Sequence, residues 1–588
     1  MKTRITLITS RLLYLLAFLT ISHITIAQVD VWDGHTVAEP TGWATGNTTV
    51  NISSAAELAW VAQMVNNSEQ TGTTPSDKWF KGCTLTLTTD IDLAGHEWTP
   101  IGIGSVSGYT SYMEKNFFGS FNGQNHIVSN LKITGEYRFA GLFGIIGDPG
   151  FPSGKETVKD LHVRNADLQI TKPEVSDEYY EWGAGTLVGL QCGTIERCSA
   201  TGKIVGGDNG YFGGLVGMNY GGYGTCSIIS NSYASVDVTG GNGSIISSTY
   251  PCYIGGFVGN NGTTSGGHPI IYNCYSTGNV KGGDDAYIGG FIGRCGGSDY
   301  IEANDVHSCY SLGTVEGGSN SHIGGFAGNA VPRSPLLNCY WNKDAYTNGT
   351  GNDAERTSEN LLALPLSSMK SRFLTQIMNE GAFNYSGKAA SKVTRYAWEL
   401  APGNDYPTLT STPLAAAPGT SESDPFLIAN SSELEFFATR VNAGNDFDGK
   451  YVKLTADIDL ESKEWTAIGT GNDLDLNHLK PFKGTFDGNG FQIRNLYFAR
   501  TVGDEEFVYA GVFGRVEDGA IRNLGVVISE KGLTIRNINC SETLGQCLAG
   551  GVVAYCLNST IENCYTTGGT ITTSALHYAI SSAGGLVA

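Results

Sequence analysis

"YIGGFVGNNG", residues 253–262, is dense in glycine around an apolar pair, Phe257 and Val258. A single copy between a strand and a helix would suggest a phosphate cradle. The signature is instead one of a series: GTLVG from Gly185, GGLVG from Gly213, GGFVG from Gly255, GGFIG from Gly289, GGFAG from Gly324, then GGVVA from Gly550 and GGLVA from Gly584. Successive starts lie 28, 42, 34 and 35 residues apart in the first series and 34 apart in the last pair. Self-similarity at such a period marks a stacked repeat array. No helical pattern follows any copy, so these glycines are expected to let the chain bend where a Cβ would collide with the next coil.

Each signature leads to a second motif, seen in IYNCYSTGNV (271–280), VHSCYSLGTV (306–315), IERCSATGKI (195–204) and IENCYTTGG (561–569). The apolar runs are short and rich in Ile, Val, Phe and Tyr, which is strand chemistry. Three such runs per repeat make one triangular coil of a β-solenoid, with the backbone of each coil paired to its neighbours at about 4.8 Å. Asn231, Asn273, Asn338 and Asn563 precede the Cys or Ser slot and are expected to turn a corner, since Asn tolerates the left-handed conformation. Cys198, Cys274, Cys309, Cys339 and Cys564 share one slot with Ser232, so they read as small buried fillers and not as disulfides. Tyr233, Tyr275, Tyr310, Tyr340 and Tyr565 follow that slot and should face the other way, giving either a candidate ligand-binding stripe or a stack that only stiffens the coil.

A longer duplication frames the repeats. LTTDIDLAGHEWTPIG (87–102) matches LTADIDLESKEWTAIG (454–469), FFGSFNGQNHIVSNLKI (117–133) matches FKGTFDGNGFQIRNLYF (482–498), and AGLFG from Ala140 matches AGVFG from Ala510, at offsets of 365–370. A helix with a capping box is expected to open each unit and cover its first coil, at Ser54/Glu57 and at Asn430/Glu433. The expected organisation is a signal peptide (1–27), a first β-helix unit (28–411), a Pro/Ser/Ala linker (412–424) and a second unit (425–588). That second unit ends at the opening of a new coil, so the gene is expected to continue beyond it.

The N-terminus carries Lys2, Arg4 and Arg11, the apolar run LLYLLAFLTISHITIA, and Ala27 before Gln28, the pattern of a secretory signal. No later run reaches membrane-spanning length. With 36 basic against 56 acidic residues and a net charge of −20, the chain lacks the basic face nucleic acid requires. Thirteen cysteines with no CxxC pair argue against a zinc site.

These motifs as a set, namely the DIDL…W..IG opening, the F.G.F.G strand, the glycine signatures and the YAWELAPGNDYPTL closing segment that ends at Leu409, resemble bacterial surface proteins of the GLUG-motif family. The resemblance implies a right-handed parallel β-helix used as a stalk or adhesive arm. It also implies a partner that is a host or community surface protein or a glycan, and no cofactor. Such modules also stand beside IgA-specific metallopeptidases, and the module itself brings no catalytic residues. The expected function is therefore a secreted, cell-surface, non-catalytic repeat protein, with a glycan-active β-helix enzyme or a peptidase accessory region as the alternative.

Candidate chemistry is sparse. His96–Glu97 lacks the second His of HExxH, and GIGSVSG (102–108) is a degraded serine-hydrolase elbow. Asp90 and Asp92 recur as Asp457 and Asp459, two apart on one strand face, and repetition in both units favours amide capping over catalysis. The DGNG at Asp487 reads as a tight turn, its calcium ligands being incomplete. The irregular stretch 343–395 is the one sizeable region where unshared residues could gather a catalytic cluster.

Overall fold

The computed structural model describes residues 29–588 except 45, 68–79, 105–114, 149–154, 175–180, 222–225, 245–250, 264–266, 297–303, 332–333, 353–359, 387–389, 404, 473–474, 503–506, 538–545 and 576–579. The signal-peptide segment 1–27 and Ser105–Gly108 of the degraded elbow lie outside the described residues.

The chain is an all-β parallel β-helix with short helices. In the first unit the strands of successive repeats stack in register: Tyr211, Tyr253, Tyr287 and His322 pair in turn on one wall, and Val216, Val258, Ile292 and Ala327 on the next. The third wall carries Ile228–Ser230, Ile270–Tyr272 and Asp305–His307. The three walls belong to two six-stranded sheets and one twenty-stranded sheet. Inside the coil, Phe257, Phe291 and Phe326 stack with ring centroids 4.9 Å apart, close to the spacing of the strands that carry them.

The glycine signature makes this nesting possible. A Cβ on Gly255 would lie 2.1 Å from Val258 O, and one on Gly256 would lie 2.2 Å from Gly290 O of the next coil. Gly213, Gly289 and Gly324 meet the same obstacle at 2.0–2.1 Å. Their amides and space are consumed by the adjoining coils, which leaves no room for a phosphate.

Asn231, Asn273, Asn338 and Asn563 all have φ between 51 and 58°, as do Arg197 and Ser308 in the same slot, so the corner is a left-handed residue in six copies. The following slot faces inward. Cys198, Cys274, Cys309 and Cys339 are buried and free, and Ser232 fits there by bonding Ser230 O at 2.7 Å. Burial pushes the Cys198 thiol up to about 12 and raises Cys309 and Cys339 well above the ordinary range. They are packing groups, held as thiols.

Helix α1 (Ala55–Asn67) buries Leu58, Val61 and Val65 completely. Glu57 N donates to Ser54 Oγ at 3.2 Å, while the Glu57 carboxylate accepts from Ser53. Helices α2 (Leu366–Met369) and α3 (Arg372–Asn384) lie in the non-repeat stretch 343–395, where helix is expected near 357–380. Helix α4 (Ser431–Asn442) has Asn430 as N-cap, accepting from Glu433 N at 3.0 Å. Within the segment expected to be a linker, residues 417–419 are buried and the rest is exposed or half-buried; Gly419 N donates to Asp424 O and Gly419 O accepts from Tyr451 N.

Candidate functional site

The Asn-Cys-Tyr wall is where sequence placed a ligand stripe. Tyr233, Tyr275 and Tyr310 stack face to face, 4.8 and 5.0 Å apart and within 9° of parallel. Yet Tyr275, Tyr310 and Tyr340 are buried, Tyr233 is half-buried, and only Tyr565 is open. The expectation of an accessible stripe is corrected for the first unit, because the closing segment lies over it. Trp398 packs 5.9 and 5.6 Å from Tyr275 and Tyr310, and its indole N–H donates to Asn273 Oδ1 at 2.6 Å. Tyr310 OH donates to Pro407 O. Helix α3 clasps that cover from behind, Asn379 exchanging two hydrogen bonds with the Trp398 backbone. At the last coil, Arg440 of α4 donates to Tyr340 OH at 2.8 Å, and Phe436 meets Tyr340 edge-on. The second unit's helix thus rests on the first unit's wall.

The paired aspartates do the same structural work in both units. Asp90 accepts from Ile127 N and Asp92 from Ala94 N; Asp457 accepts from Gln492 N and Asp459 from Glu461 N, at 2.7–3.0 Å. Asn66 and Asn442, near the ends of α1 and α4, each clasp the W..IG turn through one donated and one accepted bond. His96 packs against Trp32 at 6.2 Å. Asn489 N donates to Asp487 Oδ1, closing the turn expected at DGNG.

An outer aromatic row escaped the sequence reading. Tyr211, Tyr253, Tyr287 and His322 run along the coil with ring centroids 5.4, 5.4 and 4.5 Å apart; Tyr211 and Tyr253 are buried, Tyr287 is half-buried and His322 exposed, and the Arg294 guanidinium lies 5.5 Å over Tyr253. The signal was present, a tyrosine two residues before three successive glycine signatures, but only the wall geometry shows that it points outward. Each unit has an open cleft among the described residues. One of about 570 Å³ in the first unit is lined by Lys132, Asn165, Asp167 and Lys203, and its Lys203–Asp167 pair is 3.1 Å apart. The other, of about 460 Å³, lies in the second unit beside Glu464 and Arg500.

Comparison with known proteins agrees with the motif. Residues 250–281 match the family model "The GLUG motif". The chain is 30% identical over 141 residues to halomucin of Haloquadratum walsbyi, covering 23% of this chain and 1% of that protein. It is 31% identical over 118 residues to a "Putative Gly-rich membrane protein" of Evansella cellulosilytica, covering 20% of this chain and 12% of that one. The chain therefore spans only a small part of the relatives it matches. Among solved structures, it is similar to a "putative immunoglobulin A1 protease" from Bacteroides ovatus (17% identity, TM-score 0.40, 62% of this chain and 92% of that one). A second, titled "IgA1 Protease", matches at 15% identity and TM-score 0.29, over 51% and 22%. The GLUG motif and the stacked coils together mark a repeat protein. Among the described residues, no helix is long and apolar enough to cross a membrane.

Proposed function

We propose that the chain is a secreted, surface-displayed, non-catalytic β-solenoid that serves as a stalk with an adhesive role. The observation that carries this reading is the joint between the two units. Arg440 and Phe436 of α4 meet Tyr340, Gln376 of α3 bonds both Pro425 O and Leu427 N, and Ser368 bonds Ser432 O. A joint built from buried and half-buried hydrogen bonds and aromatic packing resists bending, which is what an arm that holds a binding surface away from a cell requires. The paired aspartates and the slot cysteines are engaged in caps and core.

Immunolabelling of intact cells tests display, and cryo-electron microscopy of the purified chain tests the joint. Surface label and one fixed angle between units are expected. Label confined to permeabilised cells, or a continuum of angles, overturns the reading; turnover of a polysaccharide or of immunoglobulin A by the purified chain overturns its non-catalytic part.

A further inference from the structure

The opening coils of the two units are built alike but diverge where they face the helix. In the first unit Glu97 is fully engaged: its carboxylate accepts from the backbone and hydroxyl of Thr134 and pairs with Lys132 at 3.4 Å. The bridges Glu97↔Lys132 and Glu464↔Tyr497 place the two units in the same register. Tyr497 therefore stands for Lys132, Phe498 for Ile133, Ala499 for Thr134 and Arg500 for Gly135. Removing the lysine and the threonine leaves Glu464 exposed, with no hydrogen-bond or ion-pair partner among the described residues.

That carboxylate borders the cleft of about 460 Å³, together with Thr466, Phe498, Arg500, Phe507 and Tyr509. A second cleft of about 370 Å³ shares Glu464 and Thr466 and adds Glu435 and Thr439 of α4. The first volume falls in the range of small-molecule sites, about 300–1,000 Å³. Its chemistry is mixed in a particular way. Half-buried Phe507 supplies the aromatic surface, with Phe498 and Tyr509 buried beneath the lining; a carboxylate that can only accept, a guanidinium that can only donate, and threonine hydroxyls that do both stand around it. A cationic ligand would meet Arg500 and an anionic one would meet Glu464, on a chain whose net charge is −20. A neutral sugar ring satisfies all three: its C–H face lies on the aromatic surface, and its hydroxyls donate to Glu464 and accept from Arg500.

We propose that the Glu464–Arg500 cleft of the second unit binds a short neutral saccharide. The proposal deepens the adhesive part of the reading above and rests on it, but its test uses soluble protein and needs no surface display. A chain that ignores sugars yet labels on intact cells loses only this cleft.

The experiment is saturation-transfer NMR of the full chain with millimolar lactose, cellobiose or chitobiose, followed by titration of the best of them, with oligolysine and a sialylated trisaccharide as charged probes. Saturable binding of at least one neutral disaccharide is expected, weakened by about tenfold or more, or about 1.4 kcal/mol, in Glu464→Gln and in Arg500→Gly. Glu97→Gln, in the engaged copy, should bind as the unaltered chain does. Both cleft residues are exposed, so circular dichroism should stay unchanged. No neutral disaccharide bound, binding that survives both cleft variants, or binding of a charged probe alone overturns the proposal.

Discussion

Tyr310 and Tyr565 follow the same cysteine slot of the same repeat, yet Tyr310 has no exposed surface and Tyr565 keeps 46% of its own. In the first unit Trp398, Tyr406 and α3 cover the tyrosine wall, and the corner asparagines are tied to that cover: Asn231 to Thr394 O, Asn273 to Trp398 and to Tyr396 O. In the second, Asn563 bonds only sideways to Asn523, and Tyr565 to Gln492. The same motif is therefore a buried seam where the closing segment packs over it, and stands open at Tyr565 in the last described coil. Exposure belongs to what lies over a motif and not to the motif.

The sharpest way to break this comparison is a charge in the cysteine slot. Cys274→Arg forces a permanent cation into a site with no exposed surface and should cost more than about 4 kcal/mol, enough to unfold the first unit. Cys564→Arg, where the residue is half-buried, should cost much less, since the long side chain can reach water. Chemical denaturation of both variants decides this, and equal losses would show that the two walls are alike after all.

Removing the cover comes next. Trp398→Ala empties a buried indole site and strands Asn273 Oδ1, for about 3–5 kcal/mol, whereas Tyr565→Ala should stay within about 0.5 kcal/mol. The first variant should also make Tyr275 and Tyr310 accessible to tyrosine nitration, which mass spectrometry reads out.

Acid should separate the units by a smaller margin. Burial lowers both His162 and His307, on the first unit's wall, to about 4. The unfolded chain takes up these protons near pH 6.5 and the folded chain does not, so the stability from the neutral rings is complete above pH 6.5 and falls as pH drops toward 4. The slope is about 1.4 kcal/mol per pH unit for each histidine. Thermal melts at pH 7 and 5 should show the first unit weakening, and His307→Gln should flatten its response; an unchanged response would remove His307 as the cause.

Among the buried positions the smallest effect is Cys274→Ser, about 1 kcal/mol or less, because Ser232 already fills the equivalent slot by bonding a carbonyl two residues back. Cys274 Sγ reaches the corresponding carbonyl, Tyr272 O, at 3.2 Å. A loss as large as that of Trp398→Ala would refute the filler account.

Much of the fold could be read from the sequence because its causes are local or periodic. A repeated signature of glycines separated by two apolar residues has one physical use, the close nesting of coils. Asparagine before a small slot takes a left-handed corner by its own backbone chemistry. Ser54/Glu57 and Asn430/Glu433 cap helices within four residues of themselves. The aspartate pairs were legible as caps since both copies carried them.

What the sequence could not supply were relations across long separations. Trp398 finds Asn273 at a distance of 125 residues, and Arg440 finds Tyr340 at 100; nothing in either motif announces its partner, so the tyrosine stripe read as open. The Glu464 cleft was hidden for the same reason. Glu97 and Glu464 sit in matching strings, and their difference lies in residues 35–37 positions away that stacking brings alongside. A repeat fixes its own backbone, because each coil presents to the next the groups it needs in return. Which walls are covered and which stay open is decided only when distant, unrepeated segments pack, and tertiary structure alone sets that.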